Sequence, residues 1–372
     1  MQKISGLGSF AKLADIEKFR SSSKVLLVTG QNSFEMSGAA RSIERLRLKQ
    51  SVFQFSDFEV NPKLQDVIAG ARNAKNNNVD LIVGIGGGSV LDMAKLIRAT
   101  MAEPEAAEEI VLGNKPVCPV GPAIIQVPTT AGSGSEATHF AVAYINDQKY
   151  SVASRHLYAD SVILDGTFVG SASKYQRACN VLDATAQAIE SYWSLGASSI
   201  SDTFAISALE KLARIQTDFV TSGEKLFLNQ AALEAASLAG SAINISKTTA
   251  PHAWSYRITT RHGIPHGHAV WATLPRVFEV HSKAATQRDL SAQRQLKHKM
   301  ARLGELFGLT DRQSLASQLR AYMERLQIPS TWTDLGINYA ERQLIAQSAN
   351  QARMKNNPIA FDEEEISWIF DI

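Results

Sequence analysis

The first 165 residues alternate short apolar runs with amphipathic stretches. Three runs have the β-branched and apolar composition typical of buried strands: 24–30 (KVLLVTG), 51–59 (SVFQFSDFE) and 79–88 (VDLIVGIGGG). Two stretches with apolar residues at helical spacing lie between them: 38–49 and 64–77. Strands separated by helices of this length need crossover connections, so the pattern predicts a doubly wound parallel sheet. Ligands of such sheets bind beyond the carboxyl ends of the strands.

The pattern changes after residue 165. Long segments with helical spacing and almost no strand signal follow: 175–195, 201–220 and 229–245. We therefore predict an α/β domain over residues 1–165 and an all-helical domain over residues 166–372.

Composition and charge narrow the class of protein. Of 372 residues 45% are hydrophobic, which is enough apolar material for a folded core. The 38 Lys and Arg against 36 Asp and Glu give 38 − 36 = +2, without the excess of cations that a nucleic-acid-binding protein needs. No apolar run approaches the ~20 residues of a membrane span, and Met1 does not open an apolar leader. Two cysteines suit a reducing compartment, so a cytoplasmic enzyme without a nucleic-acid or membrane partner is expected.

Three consecutive glycines, Gly86, Gly87 and Gly88, separate an apolar strand from a helical run in VGIGGGSVLDMAK. Glycine lets backbone N–H groups approach a phosphate, and the helix N-terminus adds partial positive charge. Ser89, with Asp92 three residues later, predicts a capping box that starts this helix. A plain strand-to-helix turn would have similar residues, so this loop alone does not establish a phosphate site.

A second loop of small residues follows another apolar strand. PTTAGSGSEAT, residues 128–138, comes directly after AIIQV and contains Thr129, Thr130 and Ser133. Two such loops at the ends of strands favour a bound dinucleotide over two plain turns.

A candidate metal site combines two parts of the helical region. Asp183 and Gln187 stand four residues apart in a helical segment, so their side chains leave the same face. His252 and His266 lie in PHAWSYRITTRHGIPHGHAVW. A carboxylate, an amide oxygen and two imidazoles would hold a divalent ion with an open position for a substrate oxygen. The spacing equally allows a solvent-facing Asp and Gln and histidines without a ligand.

Four motifs occur in one order along nearly the full chain: GGGSVLDMAK, PTTAGSGSEAT, DATAQAIESYWS and PHAWSYRITTRHGIPHGHAV. Together they resemble the iron-containing (group III) alcohol dehydrogenase family. The resemblance implies a dehydroquinate-synthase-like fold of the class α/β plus all-α. It has an N-terminal Rossmann-like doubly wound parallel sheet, a C-terminal helical domain and an active site in the cleft between them. It also implies a homo-oligomer, a dimer, that acts on a small aldehyde or alcohol.

The resemblance assigns residues to the cofactor, NAD(H) or NADP(H). Those at the pyrophosphate are Gly86, Gly87, Gly88, Ser89 and Asp92; those along the adenosine and nicotinamide are Thr129, Thr130 and Ser133; and Lys149 reaches the nicotinamide ribose. Many family members carry an Asp at the position of Gly30, where its carboxylate would repel a 2′-phosphate. Here Gly30 has no carboxylate and Ser33 offers a hydroxyl nearby, which favours NADP(H) over NAD(H).

The family's metal ligands are one Asp and three His. Asp183, His252 and His266 match three of them, but Gln187 stands where a histidine is expected. An amide oxygen is a harder and weaker donor than an imidazole, so Fe²⁺ is expected, with Mn²⁺ and Zn²⁺ as alternatives. A family histidine assigned to proton transfer is replaced by Tyr256. We expect Tyr256 or His262 to supply the proton, on equal terms with a relay of water and ribose hydroxyls.

The same motifs look like the subgroup that includes phosphonoacetaldehyde reductases. Lys247, Arg257 and Arg261 lie close in sequence to the metal-type histidines, and guanidinium groups bind phosphonate or carboxylate oxygens in bidentate fashion. The expected activity is therefore NAD(P)H-dependent reduction of a small anionic, phosphonate-bearing aldehyde, with a metal polarising the carbonyl. His268 is expected to orient a metal ligand.

Three alternatives remain open at this point. The chain would act as a general dehydrogenase of uncharged or sugar-type alcohols, as a dehydroquinate-synthase-like lyase that uses its nucleotide transiently, or as a nucleotide-binding relative without a metal. Net consumption of NAD(P)H and metal content separate these possibilities.

Overall fold

The structure is a computed structural model that describes residues 1–146, 148–287, 291–310 and 313–372. The chain divides into two compact units. The first contains Met1–Ala172 and Ser222–Gly240, and the second contains Ser173–Thr221 and Ser241–Ile372.

The strands, in chain order, are β1 (Gln2–Ser5), β2 (Lys24–Thr29), β3 (Ser51–Phe55), β4 (Leu81–Gly86), β5 (Ala123–Pro128), β6 (Phe140–Ile145), β7 (Gln148–Ala153) and β8 (Ser161–Leu164). The helices, in chain order, are α1 (Glu17–Ser21), α2 (Ser33–Met36), α3 (Ala39–Arg45), α4 (Leu64–Asn76), α5 (Gly88–Thr100), α6 (Ala107–Leu112), α7 (Lys174–Trp193), α8 (Ser199–Thr221), α9 (Leu226–Ser246), α10 (Ala250–His262), α11 (His266–Trp271), α12 (Leu274–Gln287), α13 (Ser291–Phe307), α14 (Leu315–Arg325), α15 (Tyr339–Gln347), α16 (Gln351–Met354) and α17 (Glu363–Phe370). None of the described helices is both long and apolar enough to span a membrane.

A six-stranded parallel sheet forms the centre of the first unit, in the order β1-β8-β5-β4-β2-β3. The predicted parallel sheet is therefore confirmed. The order reverses between β2 and β4, because the chain leaves β2 for β3 on one side and then crosses to β4 on the other. This reversal is the place where doubly wound sheets bind ligands. β6 and β7 form a separate antiparallel hairpin that the sequence pattern did not predict.

Buried side chains cover both faces of this sheet. On one face Ile82 packs with Met93 and Ile97 of α5. On the other face Val83 packs with Phe10 and other residues near the N-terminus. Because the central strands are covered on both sides, they read as continuous apolar runs rather than alternating ones.

The predicted capping box at the start of α5 is wrong. α5 begins one residue before Ser89, after Gly87, and no side chain caps it. The carboxylate of Asp92 instead accepts hydrogen bonds from Ser135 Oγ at 2.5 Å and from Val142 N at 3.0 Å. Asp92 thus ties α5 to the second small-residue loop and to the hairpin.

Lys95 completes this connection from inside the core. Its fully buried Nζ donates to Ser135 O at 2.5 Å, Thr138 Oγ1 at 2.9 Å and Phe140 O at 2.9 Å. Burial lowers the pKa of Lys95 to about 8, against the opposing effect of the Asp92 and Glu136 carboxylates. The second loop is therefore held by side chains of α5.

The second unit is helical, with α7 at its centre. α7 is buried over its last sixteen residues, from Ala178 to Trp193, and α8, α11 and α13 pack against it. The N-terminal part of α9, up to Gly240, belongs to the first unit, although the sequence pattern placed this segment in the helical region. Gly134 and Gly240, both in the first unit, approach each other too closely for a side chain at either position.

His281 of α12 is fully buried in the second unit. Its ring is stacked on Phe361 and lies edge-on to Trp193, and its Nε2 accepts a hydrogen bond from Asn357 Nδ2 at 3.1 Å. Burial lowers the pKa of His281 to about 3. The folded protein therefore keeps this ring neutral well below the pH at which the unfolded chain protonates it.

This burial predicts an acid-dependent loss of stability. Below a pH of about 6.5 the unfolded state binds a proton that folded His281 excludes, so the free energy of unfolding falls by up to ~1.4 kcal/mol per pH unit until the folded pKa is reached. His281→Phe is expected to flatten this dependence. Thermal unfolding of chelator-treated protein between pH 7 and 5 measures it. The exposed His298→Asn is the matched control, and equal slopes for wild type and His281→Phe would contradict the prediction.

Candidate metal centre and cofactor loops

One face of α7 carries a stripe of polar side chains through the buried core. Asp183, Gln187 and Glu190 follow each other at intervals of four and three residues, so they share a face. All three are buried, and Glu190 is fully inaccessible. Polar groups are costly in such a place unless they have partners, so the stripe implies a ligand or a hydrogen-bonding network.

Two histidines approach this stripe from neighbouring helices. His252 lies in the first turn of α10, and His266 is the first residue of α11. Gly263 caps the C-terminus of α10, and its φ of 65° favours glycine. At Gly267 an added Cβ would overlap the carbonyl oxygen of Cys179 and lie 2.7 Å from Asp183 N. The missing side chain therefore lets the start of α11 reach α7.

Asp183, His252 and His266 form a cluster that fits a metal ion. Each offers a ligand atom, and these atoms lie within 4.8 Å of one another. His252 Nε2 is 3.6 Å from Asp183 Oδ1, and the two imidazole rings are 5.1 Å apart between centroids. Asp183 Oδ1 and Gln187 Oε1 are both buried without a hydrogen-bond partner in the described structure. A carboxylate, an amide and two imidazoles are a suitable ligand set, and an ion would satisfy both oxygens.

Electrostatics in the cluster keep negative charge on Asp183 and a proton on His252. Burial would raise the pKa of Asp183, but His252, His266 and Gln187 outweigh it and keep the pKa below its ordinary value. Burial would lower the pKa of His252, whereas the Glu190 and Asp183 carboxylates raise it to about 9. Asp183 is therefore ionised at neutral pH, and an ion that binds His252 displaces a proton.

Glu190 is a site residue that sequence reasoning missed. Its Oε1 lies 2.5 Å from His252 Nδ1, and its Oε2 accepts hydrogen bonds from Thr249 N at 2.7 Å and Thr249 Oγ1 at 2.9 Å. The sequence does contain a signal for this residue, because Glu190 lies on the same face of α7 as Asp183 and Gln187. A buried carboxylate on that face is expected to meet the same partners as its neighbours.

The two residues predicted to supply a proton lie in different places. The ring of Tyr256, one turn after His252 on α10, is nearly parallel to that of His266, with centroids 6.3 Å apart. His262 is the last residue of α10, and ten residues of helix separate it from His252 by about 15 Å along the axis. Its Nε2 lies 3.5 Å from Glu341 Oε1. The structure brings Tyr256 to the cluster, but not His262.

The predicted arginines also lie away from the cluster. At about 100° per residue, Arg257 and Arg261 project roughly 140° and 180° around α10 from His252. Arg257 Nε donates to Glu341 Oε1 at 2.9 Å, and Arg261 is exposed. The structure therefore does not bring these two side chains to the metal-type ligands. Lys247 is exposed in the turn before α10, with a φ of 64°.

His268 does not contact a ligand of the cluster within the described residues. Its Nε2 donates to Pro329 O at 2.8 Å, and its Nδ1 accepts from Tyr175 Oη at 2.9 Å. Burial lowers the pKa of His268, so the ring is neutral. The expectation that His268 orients a metal ligand is wrong, and Glu190 has this contact instead.

The two small-residue loops lie side by side at one edge of the parallel sheet. β4 and β5 are neighbours, with Gly86 opposite Pro128 at their carboxyl ends, and Thr129 N donates to Gly86 O at 2.9 Å. An added Cβ on Gly87 would meet Thr130, and one on Gly88 would lie 2.8 Å from Ser133 Oγ. The glycines thus leave a backbone cradle at the start of α5 that side chains would fill.

The remaining predicted cofactor residues belong to the same unit. Gly30 follows β2, beside β4, and an added Cβ there would overlap Ser33 Oγ at the start of α2. Lys149 lies in β7 opposite Tyr144, and its charge helps to lower the pKa of Asp92, whose burial raises it overall. Ser89 Oγ accepts a hydrogen bond from Asn61 N at 3.1 Å.

Comparison with known families places the chain. The family model described as iron-containing alcohol dehydrogenase matches residues 2–166, and that of the Fe-containing alcohol dehydrogenase C-terminal domain matches residues 177–371. The chain belongs to the iron-containing alcohol dehydrogenase family. The predicted family, the two-part fold and the enzyme class, an NAD(P)-dependent alcohol dehydrogenase or aldehyde reductase, are thereby confirmed.

Individual relatives differ in what they act on. The chain is 29% identical to the choline dehydrogenase of Bacillus subtilis, over 94% of this chain and 87% of that protein. It is 28% identical to the phosphonoacetaldehyde reductase of Streptomyces viridochromogenes, over 93% and 89%. The crystal structure of sulfoacetaldehyde reductase from Bifidobacterium kashiwanohense in complex with NAD⁺ matches with a TM-score of 0.88 and 25% identity, over 100% of this chain and 96% of that one.

The amide at position 187 gives a direct test of the ligand set. Gln187→His replaces the buried amide oxygen with an imidazole one turn after Asp183. We expect Zn²⁺ to bind at least about tenfold more tightly, because ~1.4 kcal/mol of extra ligand bonding suffices for that factor. Chelator competition measures the dissociation constant, and Gln187→Leu is expected to weaken binding. Unchanged affinity in both variants would show that residue 187 does not contact the ion.

Proposed function

We propose that this enzyme reduces a small aldehyde with an anionic tail, such as a phosphonate, to a primary alcohol with NAD(P)H and a divalent metal. The observation that carries the proposal is the buried Asp183 Oδ1, which has no hydrogen-bond partner among the described residues and faces His252 Nε2 within the three-residue cluster. Asp183, His252 and His266 would hold the ion, with Gln187 as a fourth ligand. Fe²⁺ is the expected metal, and Zn²⁺ and Mn²⁺ are alternatives.

The residues around the cluster have distinct tasks in this proposal. A bound divalent ion would supply Lewis-acid polarisation of the substrate carbonyl. Asp183 and the imidazoles would hold that ion. Tyr256, beside His266, holds the proton that the substrate oxygen receives, alone or through water and ribose hydroxyls.

The cofactor part of the proposal depends on the first unit. The backbone N–H groups at the start of α5 would receive the pyrophosphate at Gly86, Gly87 and Gly88. The relative from Bifidobacterium binds NAD⁺. The absence of a carboxylate at Gly30 allows NADP(H) as well, and comparing kcat/KM for NADH and NADPH distinguishes the two.

Some of the relatives support an anionic substrate. Two of the relatives named above reduce aldehydes that carry a phosphonate or a sulfonate, whereas a third acts on choline, which is a cation. With Arg257 and Arg261 directed away from His252, Lys247 is the cation of this segment that we assign to the anionic tail.

The experiment measures NADH and NADPH oxidation by protein loaded with Fe²⁺, Mn²⁺ or Zn²⁺. The substrates are phosphonoacetaldehyde, sulfoacetaldehyde and propanal. We expect a kcat/KM at least about tenfold higher for the anionic aldehydes, which corresponds to ~1.4 kcal/mol of tail binding, and Lys247→Ala should remove this preference. Equal kcat/KM values would overturn the anionic class and favour a general alcohol dehydrogenase. No net NAD(P)H consumption with any metal would overturn the reductase itself.

A further inference from the structure

Glu190 is a carboxylate with no access to solvent, and its two oxygens are engaged by Thr249 and His252. It lies on α7, seven residues after Asp183, and contacts the first turn of α10. Oε2 accepts from Thr249 N and Thr249 Oγ1, and Oε1 lies against His252 Nδ1. A buried charge destabilises the fold unless hydrogen-bond donors engage it in this way.

A capping role explains the contacts of Oε2 with Thr249. No side chain of its own segment caps α10, so its first N–H groups need an acceptor from elsewhere. Glu190 Oε2 supplies one at Thr249 N, and its negative charge suits a helix N-terminus. A cap requires only one oxygen, and a neutral amide would serve. The cap therefore does not account for the contact between Oε1 and His252.

The second contact determines how His252 presents its ring. A carboxylate only accepts hydrogen bonds when ionised, so the Nδ1 beside Glu190 carries the proton. The opposite ring nitrogen, Nε2, then points to Asp183 Oδ1, 3.6 Å away. Once the proton on Nε2 is displaced, the lone pair of Nε2 is available to an ion. The hydrogen bond from Nδ1 to Glu190 also fixes the plane of the ring.

From this geometry we infer that Glu190 is a positioning residue of the metal centre, which holds His252 in its metal-binding orientation and strengthens it as a donor. The inference rests on the proposed function, in which Asp183, Gln187, His252 and His266 bind the ion. Asp183 is the one anion of that set, because residue 187 is a neutral amide. Glu190 adds a second negative charge behind His252 without occupying a coordination position. It compensates in part for the weaker donor at position 187.

Glu190→Gln tests this role with little change in volume. An amide has one acceptor and one donor edge, whereas Thr249 and His252 both present donors to Glu190. Either the α10 cap or His252 therefore loses its acceptor. We expect the dissociation constant for Zn²⁺, measured by chelator competition, to rise about 10–100-fold.

Ser191→Ala is the matched control. Ser191 is the next residue of α7 and equally buried, but within the described residues its Oγ accepts from Ser246 Oγ at 2.7 Å rather than bonding to His252. It should lower the thermal unfolding midpoint of the metal-free protein without changing Zn²⁺ affinity.

Glu190→Asp keeps the charge but shortens the side chain by one methylene, so it cannot span both partners. If Glu190→Gln does not fold, Glu190→Asp replaces it as the test variant, and we expect it to bind Zn²⁺ more weakly than wild type.

The outcomes separate this inference from the function on which it rests. Wild-type protein that binds one Zn²⁺, with weaker binding only in the Glu190 variants, supports it. Wild-type and Glu190 variants that bind equally, with only lower midpoints in the variants, would reduce Glu190 to a helix cap and overturn the inference. Wild-type protein that binds no ion would overturn the metal site of the proposed function itself.

Discussion

Asp183→Asn is expected to abolish stoichiometric metal binding and to lower kcat/KM for aldehyde reduction by about 10³-fold or more. The substitution removes the one anionic ligand of the set and leaves a neutral amide beside His252 and His266. Loss of the Lewis acid removes several kcal/mol of transition-state stabilisation, and ~4 kcal/mol already corresponds to a factor of about 10³. Metal content of the purified variant and steady-state NAD(P)H oxidation measure both effects.

A carboxylate elsewhere in the second unit provides the control. Asp202 on α8 pairs with Lys299 of α13 at 3.0 Å, and neither belongs to the cluster. Asp202→Asn makes the same chemical change and costs only a half-buried ion pair, so metal content and kcat/KM should stay at wild-type values. An Asp183→Asn protein with full activity and one bound ion would contradict the ligand assignment.

Gly267→Ala is expected to lower kcat/KM about 10²-fold, an effect typical of displacing reacting groups by ~1 Å. The added methyl would overlap the carbonyl oxygen of Cys179 and crowd Asp183 N at 2.7 Å. Both obstacles are backbone atoms of α7, so α11 must move outward and take His266 away from Asp183. Thermal unfolding should also show a loss, of about 1–3 kcal/mol, typical of overpacking.

Gly304→Ala is the control for this substitution. Gly304 lies within α13, and an added Cβ there meets no atom within 4 Å. The same change should leave activity unaltered and raise helix stability by up to about 1 kcal/mol. If Gly267→Ala retained wild-type kcat/KM and metal affinity, the close contact of α11 with α7 would not be what positions His266.

Periodicity predicted the features that depend on local order. The apolar runs of β2 and β4 are buried on both faces, so their composition alone indicates a covered parallel sheet. The four-residue spacing of Asp183 and Gln187 places them on one face of α7, as the structure shows. Helical geometry is the same everywhere, so such relations can be read from spacing.

Contacts between distant segments could not be predicted in this way. Arg257 Nε donates to Glu341 Oε1, 84 residues later, a partner that the local sequence does not reveal. Asp92 has the spacing of a capping residue, yet it binds Ser135 Oγ of another loop. In both cases a tertiary partner competes with the local one, and a single sequence does not identify it.

The most direct measurement is the anomalous scattering of crystals grown with Zn²⁺, recorded on both sides of the zinc absorption edge. The account predicts one strong peak within coordination distance of Asp183, His252 and His266, with the Gln187 oxygen turned towards it. The contradicting result is a crystal in which Zn²⁺ fully occupies other sites but gives no peak between Asp183 and the two imidazoles. That result would contradict the metal-dependent mechanism.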